Sequence, residues 1–185
     1  MKVEVPYAKG KTSFETDVPV QIVDSAGCDI CDADEIMSEA LENPIGQAES
    51  FGDFARDSKK LLFILCDGTR PTPTALTLKH IYEHIKDHPD VGFIIATGSH
   101  RAPTEEEYRR IFGQYLDEFR SRITVHDARN NDLLEYLGET SRKSPVRFNR
   151  KVMEADGLVT INSVEPHYFR LHRWEKVLPA RSCWL

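Results

Sequence analysis

Between positions 60 and 161 the chain alternates continuous apolar runs with stretches whose apolar residues recur at helical spacing. Leu61–Cys66, reading Leu-Leu-Phe-Ile-Leu-Cys, has strand length and no polar alternation, as a parallel strand covered on both faces requires. Leu76, Leu78, Ile81, Tyr82 and Ile85 supply a helical stripe that stops near His88-Pro89, and Val91–Ala96 is a second buried run that completes a β-α-β unit. Thr104 with Glu107 forms a capping-box pattern opening a helix that carries Tyr108, Ile111, Phe112, Tyr115 and Leu116. Ile123–Val125 reads as a third strand, 132–137 and 150–155 as short helices, and Gly157–Ile161 as a last buried strand. This alternation predicts an α/β fold: a doubly wound, mainly parallel, Rossmann-like sheet.

Upstream the rhythm is different. β-prone pieces at 3–7, 13–18 and 21–24 surround the turn-prone Lys9-Gly10-Lys11, which predicts a small amino-terminal β appendage over 1–24. Asp32 followed by Glu35 caps a helix carrying Ile36, Ala40 and Leu41, which Asn43-Pro44 stops. The α/β catalytic-type domain is expected over 25–169, and 170–185 form a separate tail.

The 185 residues suffice for such a domain, and 40% hydrophobic with 29% charged residues is an ordinary globular balance. A net charge of -6 opposes the phosphate-neutralising surface that nucleic acid requires. No apolar run approaches a bilayer span, and no signal-peptide core stands at the start, so the expected location is the cytoplasm, with no membrane partner. The four cysteines are then reduced thiols, with Cys66 in the core.

Ligands of open α/β sheets bind outside the carboxyl ends of the strands. Three such loops are rich in chemistry: Asp67-Gly68-Thr69-Arg70-Pro71-Thr72-Pro73, Thr97-Gly98-Ser99-His100-Arg101 and Asn162-Ser163-Val164-Glu165-Pro166-His167. The plain alternatives are a local Asp67–Arg70 ion pair and packing roles for His100 and His167. Cys28-Asp29-Ile30-Cys31 lacks a second pair, and His80, His84 and His88 read as a solvated helix face, so no metal-ligand set is assigned. Asp67-Gly68-Thr69 invites comparison with the haloacid-dehalogenase-type phosphatases. Leu65, however, stands where their nucleophilic aspartate belongs. No GxGxxG follows the first buried strand, which argues against nicotinamide binding.

Together, Asp67 to Pro73, Ala96-Thr97-Gly98-Ser99-His100-Arg101 and Glu165-Pro166-His167-Tyr168-Phe169 resemble the amino-terminal domain of the nickel-pincer-nucleotide lactate racemase family. Leu41-Glu42-Asn43-Pro44-Ile45-Gly46 is similar to that family's upstream stretch. The resemblance implies a 2-hydroxy-acid racemase or epimerase that passes hydride to a nickel-pincer nucleotide and returns it to either face of the keto acid. By the same resemblance, His100 and His167 are paired acid/bases for opposite enantiomers, Arg70 grips the carboxylate, and Asp67 orients Arg70 or a histidine. Thr69, Thr72, Thr97, Gly98 and Ser99 are the implied cofactor or phosphate contacts.

Beyond Phe169 the pattern departs. The family continues with a run resembling AGF(S/T)GGRKS(V/F)LPG, whose lysine anchors the cofactor, whereas this chain reads Arg170-Leu171-His172-Arg173-Trp174-Glu175-Lys176-Val177. A nucleotide string CGG CTT CAC CGG TGG GAG AAA GTC encodes that tail, and its neighbouring frame reads Gly-Phe-Thr-Gly-Gly-Arg-Lys. A frameshift near codon 170, in the gene or in the expressed DNA, is the expectation. It puts Val177 in the anchoring position and removes the carboxyl-terminal domain, so this chain is expected to lack the loaded cofactor, to be inactive as written, and to self-associate through exposed apolar surface. The competing expectations are a non-catalytic module binding a small carboxylate or phosphate, and a metal protein centred on Cys28 and Cys31.

Overall fold

The computed structural model describes residues 1–21, 32–46, 49–98, 100–163 and 183–184. They fall into two compact units, 1–31 and 32–185. In the first, β1 (Lys2–Tyr7) and β2 (Gly10–Glu15) form an antiparallel hairpin that pairs Val3 with Phe14. Strand character ends at Glu15 rather than continuing to 18, because the Thr16 hydroxyl turns back to accept the Val18 N–H at 3.1 Å. Most of the expected 21–24 piece lies outside the described residues, as do Cys28 and Cys31.

The second unit is built on a parallel sheet of β3 (Leu61–Cys66), β4 (Val91–Ala96), β5 (Ile123–Val125) and β8 (Gly157–Ile161), in the order β5-β4-β3-β8. The two-residue β9 (Cys183–Trp184) lies parallel beside β8. Leu61 is level with Val91 on one side and Gly157 on the other, so the three central strands finish at the same height. The chain steps outward from β3 to β4 and β5, then returns to the opposite side of β3 for β8, which makes the sheet doubly wound.

Successive strand residues face opposite ways, so a continuous apolar run feeds two cores. Leu61, Phe63, Leu65, Phe93, Ile95 and Ile161 pack with α2 (Phe51–Asp57), α3 (Thr74–Ile85), α4 (Glu105–Phe112) and α5 (Leu116–Phe119). Leu62, Ile64, Ile94 and Leu158 form a smaller cluster with Val152 of α6 (Arg150–Glu154). Phe93 is the hub of the larger core, with ring centroids 5.2 Å from Phe63, 5.4 Å from Phe112 and 4.8 Å from Phe119.

Asp32 caps α1 (Ala33–Glu42) as expected, accepting the Asp34 and Glu35 N–H groups at 2.9 and 3.1 Å. The short α2 is not foreshadowed by a long apolar stripe. Ser50 caps it at the Asp53 N–H, and Phe51, Phe54 and Ala55 anchor it. The helix expected to run through Leu116 breaks instead: Gly113, at φ +58°, ends α4, and a 3-10 turn over Gly113–Tyr115 precedes α5. A Cβ at Gly113 would meet Ala75 at 3.2 Å, so glycine serves both the backbone turn and the close approach of the start of α3.

Two further expectations are overturned. The segment at 132–137 is not helical; a 3-10 turn over Asn131–Leu133 leads into β6 (Leu134–Glu139), which pairs antiparallel with β7 (Pro145–Asn149) around a bulge at Gly138. Its leucines mimic a helical spacing, but Val146 and Phe148 supply cross-strand partners that no local pattern reveals. The solvated face expected at His80, His84 and His88 holds only for His84, which is exposed; His80 is half-buried and His88 is buried. His80 bonds Asp34 at 2.7 Å, His84 lies edge-on to Phe51, and the buried His88 bonds the Ser58 carbonyl at 2.9 Å.

Phe93→Ala should cost about 3–5 kcal/mol, since it removes the ring on which three aromatic contacts converge. Urea unfolding checks this; a loss below about 1 kcal/mol would place the core elsewhere.

Candidate active site

Asp67 is the first polar residue after β3, and it is only 6% exposed. A carboxylate in that position has to be bonded or neutralised. Its Oδ1 accepts the Thr69 backbone N–H at 2.8 Å and the Thr69 hydroxyl at 2.5 Å, and its Oδ2 lies 2.7 Å from His100 Nδ1. Burial pushes the carboxyl up, but the Thr69 and His100 hydrogen bonds outweigh it, and the group sits below the ordinary aspartate value. An ionised Asp67 accepts a hydrogen bond from Nδ1–H, which leaves His100 Nε2, on a ring whose side chain is 43% exposed, as the nitrogen able to exchange a proton.

The loop carrying His100 is anchored at its root. Thr97 is buried, and its hydroxyl donates to the His126 carbonyl at 2.5 Å, while the His126 N–H donates to Ile95 at 3.0 Å. Gly98 turns the chain at φ +59°, a conformation costly to other residues, and an added Cβ there would meet open space. The His100 N–H then donates to the Thr97 carbonyl at 2.9 Å. Thr69 Oγ1 is 3.4 Å from His100 Nδ1, so the Thr69 hydroxyl bridges the two loops while serving Asp67.

Beside this pair, Gly68 to Pro73 line a cleft of about 400 Å³ together with Ala75 and Arg110. Arg70 and Arg110 are its two cationic side chains. The Arg70 N–H closes the turn onto the Asp67 carbonyl at 3.2 Å. Thr72 Oγ1 stands 3.4 Å from Ser163 Oγ, which brings the loops after β3 and β8 together where the strand order reverses. Of the residues expected from sequence, Asp67, Thr69 and His100 are thus in contact, Arg70 and Thr72 border the adjoining cleft, and Thr97 and Gly98 shape the His100 loop. Ser99 and His167 lie outside the described residues. Among the described residues, no three of His, Cys, Asp and Glu converge to hold a metal ion.

Three contributors went unrecognised in the sequence. Arg110 Nη2 donates to the Gly68 carbonyl. Glu107 packs its methylenes against Gly68 and receives both Arg101 guanidinium nitrogens at 2.7 and 2.9 Å. His126, its imidazole held below the usual value by burial, takes Asn149 Nδ2 at 3.2 Å on Nδ1. The i, i+3 spacing of Glu107 and Arg110 on a helix following a strand-end loop is the one signal that points to them.

The family described as "Lactate racemase N-terminal domain" matches residues 7–171. Lactate racemase of Thermoanaerobacterium thermosaccharolyticum is 35% identical over 175 residues, covering 90% of this chain and 41% of that protein. Lactate racemase of Lactiplantibacillus plantarum is 26% identical over 138 residues, covering 73% of this chain and 32% of that protein. The chain therefore spans well under half the length of these relatives. The solved lactate racemase apoprotein from T. thermosaccharolyticum superposes with a TM-score of 0.72 at 33% identity, over 91% of this chain and 40% of that one. A Thermotoga maritima protein, with a TM-score of 0.56 and 23% identity over 73% of this chain and 34% of its own, shares the fold.

Gly68→Ala should destabilise by about 1–3 kcal/mol, because its Cβ would stand 2.6 Å from Glu107 Cβ and Cγ; an unchanged denaturation midpoint would contradict this close packing. Arg101, and then the Thr104 N–H, hold the Glu107 carboxyl at about 2 against an ordinary 4.5, so it stabilises the fold above pH 4.5 and loses that effect as pH falls towards 2. In thermal scans across that window, the wild-type chain should lose more of its midpoint than Glu107→Gln; parallel curves would refute the assignment.

Proposed function

We propose that this chain, which belongs to the lactate racemase family through its N-terminal domain, supplies the substrate-gripping and proton-transfer half of a 2-hydroxy-acid racemase or epimerase. The observation that carries the reading is the contact at 2.7 Å between a buried Asp67 and His100, beside an arginine-bearing cleft at the strand ends. Arg70 takes the substrate carboxylate through its planar fork, which places the 2-hydroxyl towards His100. His100 Nε2 accepts the proton of the substrate's 2-hydroxyl and returns it to that oxygen, while Asp67 holds the ring through Nδ1. His167 is assigned the same role for the opposite enantiomer. Thr69 and Thr72, which line the cleft, together with Thr97, Gly98 and Ser99 are assigned to the cofactor or phosphate.

The accompanying hydride chemistry is what a nickel-pincer nucleotide would supply. The chain as written does not fit that group, because by the family resemblance its covalent anchor is a lysine at position 177 and the sequence has Val177 there. No step of this account therefore runs through it. Residues 170–185 are read as out of frame. The activity is assigned to a longer polypeptide that joins this α/β unit to the remainder of the family's length, acting on a small 2-hydroxy acid in the cytoplasm. No helix among the described residues is long and apolar enough to cross a membrane.

The reading frame should be restored at codon 170, the full-length protein supplied with the cofactor, and 2-hydroxy acids screened for loss of optical purity. Racemisation should appear only in the restored protein, and His100→Ala should lower it by about 10²–10⁴-fold. Turnover of lactate by the chain as written, with stoichiometric nickel, would contradict the inactive-tail reading, and full activity in His100→Ala would remove the acid–base assignment. The cleft also favours a second reading, a non-catalytic anion-binding module, because its two arginines are already in place. On that reading a small carboxylate or phosphate stabilises the chain in a thermal-shift assay, and restoring the frame brings no turnover.

A further inference from the structure

We propose that Glu107 and Arg110, on the first two turns of α4, are positioning residues that set the contact between Asp67 and His100. The inference rests on reading those two as an acid–base pair and adds what fixes their separation. Each sits in an irregular loop, and a productive pair has to be held within about 0.5 Å, so something rigid must span the two loops.

Helix α4 spans them. From the β3 side, Gly68, next to Asp67, gives its carbonyl to Arg110 Nη2 and lies so close to Glu107 that a Cβ on it would be 2.6 Å from Glu107 Cβ and Cγ. From the β4 side, Arg101, next to His100, sets both guanidinium nitrogens on the Glu107 carboxylate at 2.7 and 2.9 Å. One side chain is therefore touched by the neighbour of each member of the pair. Glu107 is itself immobilised: its Oε2 accepts the Thr104 N–H at 2.7 Å and Thr104 Oγ1 accepts the Glu107 N–H at 3.3 Å, a complete capping box. At the other end of the helix, Gly113 abuts Ala75 at the start of α3. The rest of α4 is not organised this way; Glu105 pairs instead with Arg109 and Arg120.

The test reads the His100 ring by ¹⁵N NMR above the imidazole titration range, which needs no turnover. In the wild-type chain the Nδ1–H tautomer should dominate, because Nδ1 donates to Asp67. Asp67→Asn serves as the reference for a released ring and should shift it towards the Nε2–H form. Arg110→Met and Glu107→Gln should produce part of that shift, and Arg110→Lys, which keeps a donor for the Gly68 carbonyl, should restore the wild-type signature. His88 is the internal control: its Nδ1 accepts the Asp90 N–H at 3.2 Å and its Nε2 faces the Ser58 carbonyl at 2.9 Å, so its tautomer should stay fixed throughout. A wild-type His100 tautomer in both Arg110→Met and Glu107→Gln, even with lowered thermal midpoints, would reduce α4 to packing and overturn the proposal. A His88 tautomer that moves together with His100 would mean general loosening and would overturn it too. If Arg110→Met does not fold, Glu107→Gln decides alone. If Asp67→Asn leaves His100 unchanged, the acid–base pair itself falls, a failure distinct from that of the clamp.

Discussion

A strand covered on both faces has no place for a charge, and that constraint organises this molecule. Every residue of β3 is buried, so the first side chain able to carry chemistry is Asp67, one position past the last apolar residue. Its neighbours β4 and β8 run parallel to it and in register, so their loops open at the same height. Residues distant in the chain are thereby delivered to one rim. The apolar alternation that stabilises the sheet and the gathering of polar groups at its end are two outcomes of one arrangement.

What the rim does chemically follows from how it satisfies Asp67. A buried carboxylate without partners takes up a proton; three hydrogen bonds from two residues keep this one ionised. The same bonds fix which imidazole nitrogen of His100 holds its proton and which is available for exchange. Arg70 and Arg110 line the neighbouring cleft and make its wall cationic. The turn at Gly68–Pro73 lines that cleft and sets it directly beside the Asp67–His100 contact.

The parallel strands were legible because burial on both faces leaves an unambiguous run; Leu61–Cys66, Val91–Ala96, Ile123–Val125 and Gly157–Ile161 all occur as read. Capping chemistry was equally plain at Asp32 and Thr104, since it depends on residues a few positions apart. What failed depended on partners remote in sequence. The strand at Leu134–Glu139 exists because β7 pairs with it, and His80 and His88 leave the solvated face because Asp34 and the Ser58 carbonyl hold them. The site divides along the same line. Asp67 and His100 stood out as polar groups at strand ends, whereas Glu107 was read only as a helix cap and Arg110 not at all, because their contacts with Gly68 depend on the fold.

The central proposal is spatial: a small 2-hydroxy acid binds at the strand ends between Arg70 of the cleft and the neighbouring His100 imidazole. A crystal structure of the frame-restored protein with a bound 2-hydroxy acid measures it directly. The account predicts the carboxylate on Arg70, the hydroxyl within hydrogen-bond distance of His100 Nε2, and the His167 imidazole across the ligand from His100. A ligand bound away from both Asp67 and Arg70, or His100 and His167 on opposite sides of the molecule, would contradict it.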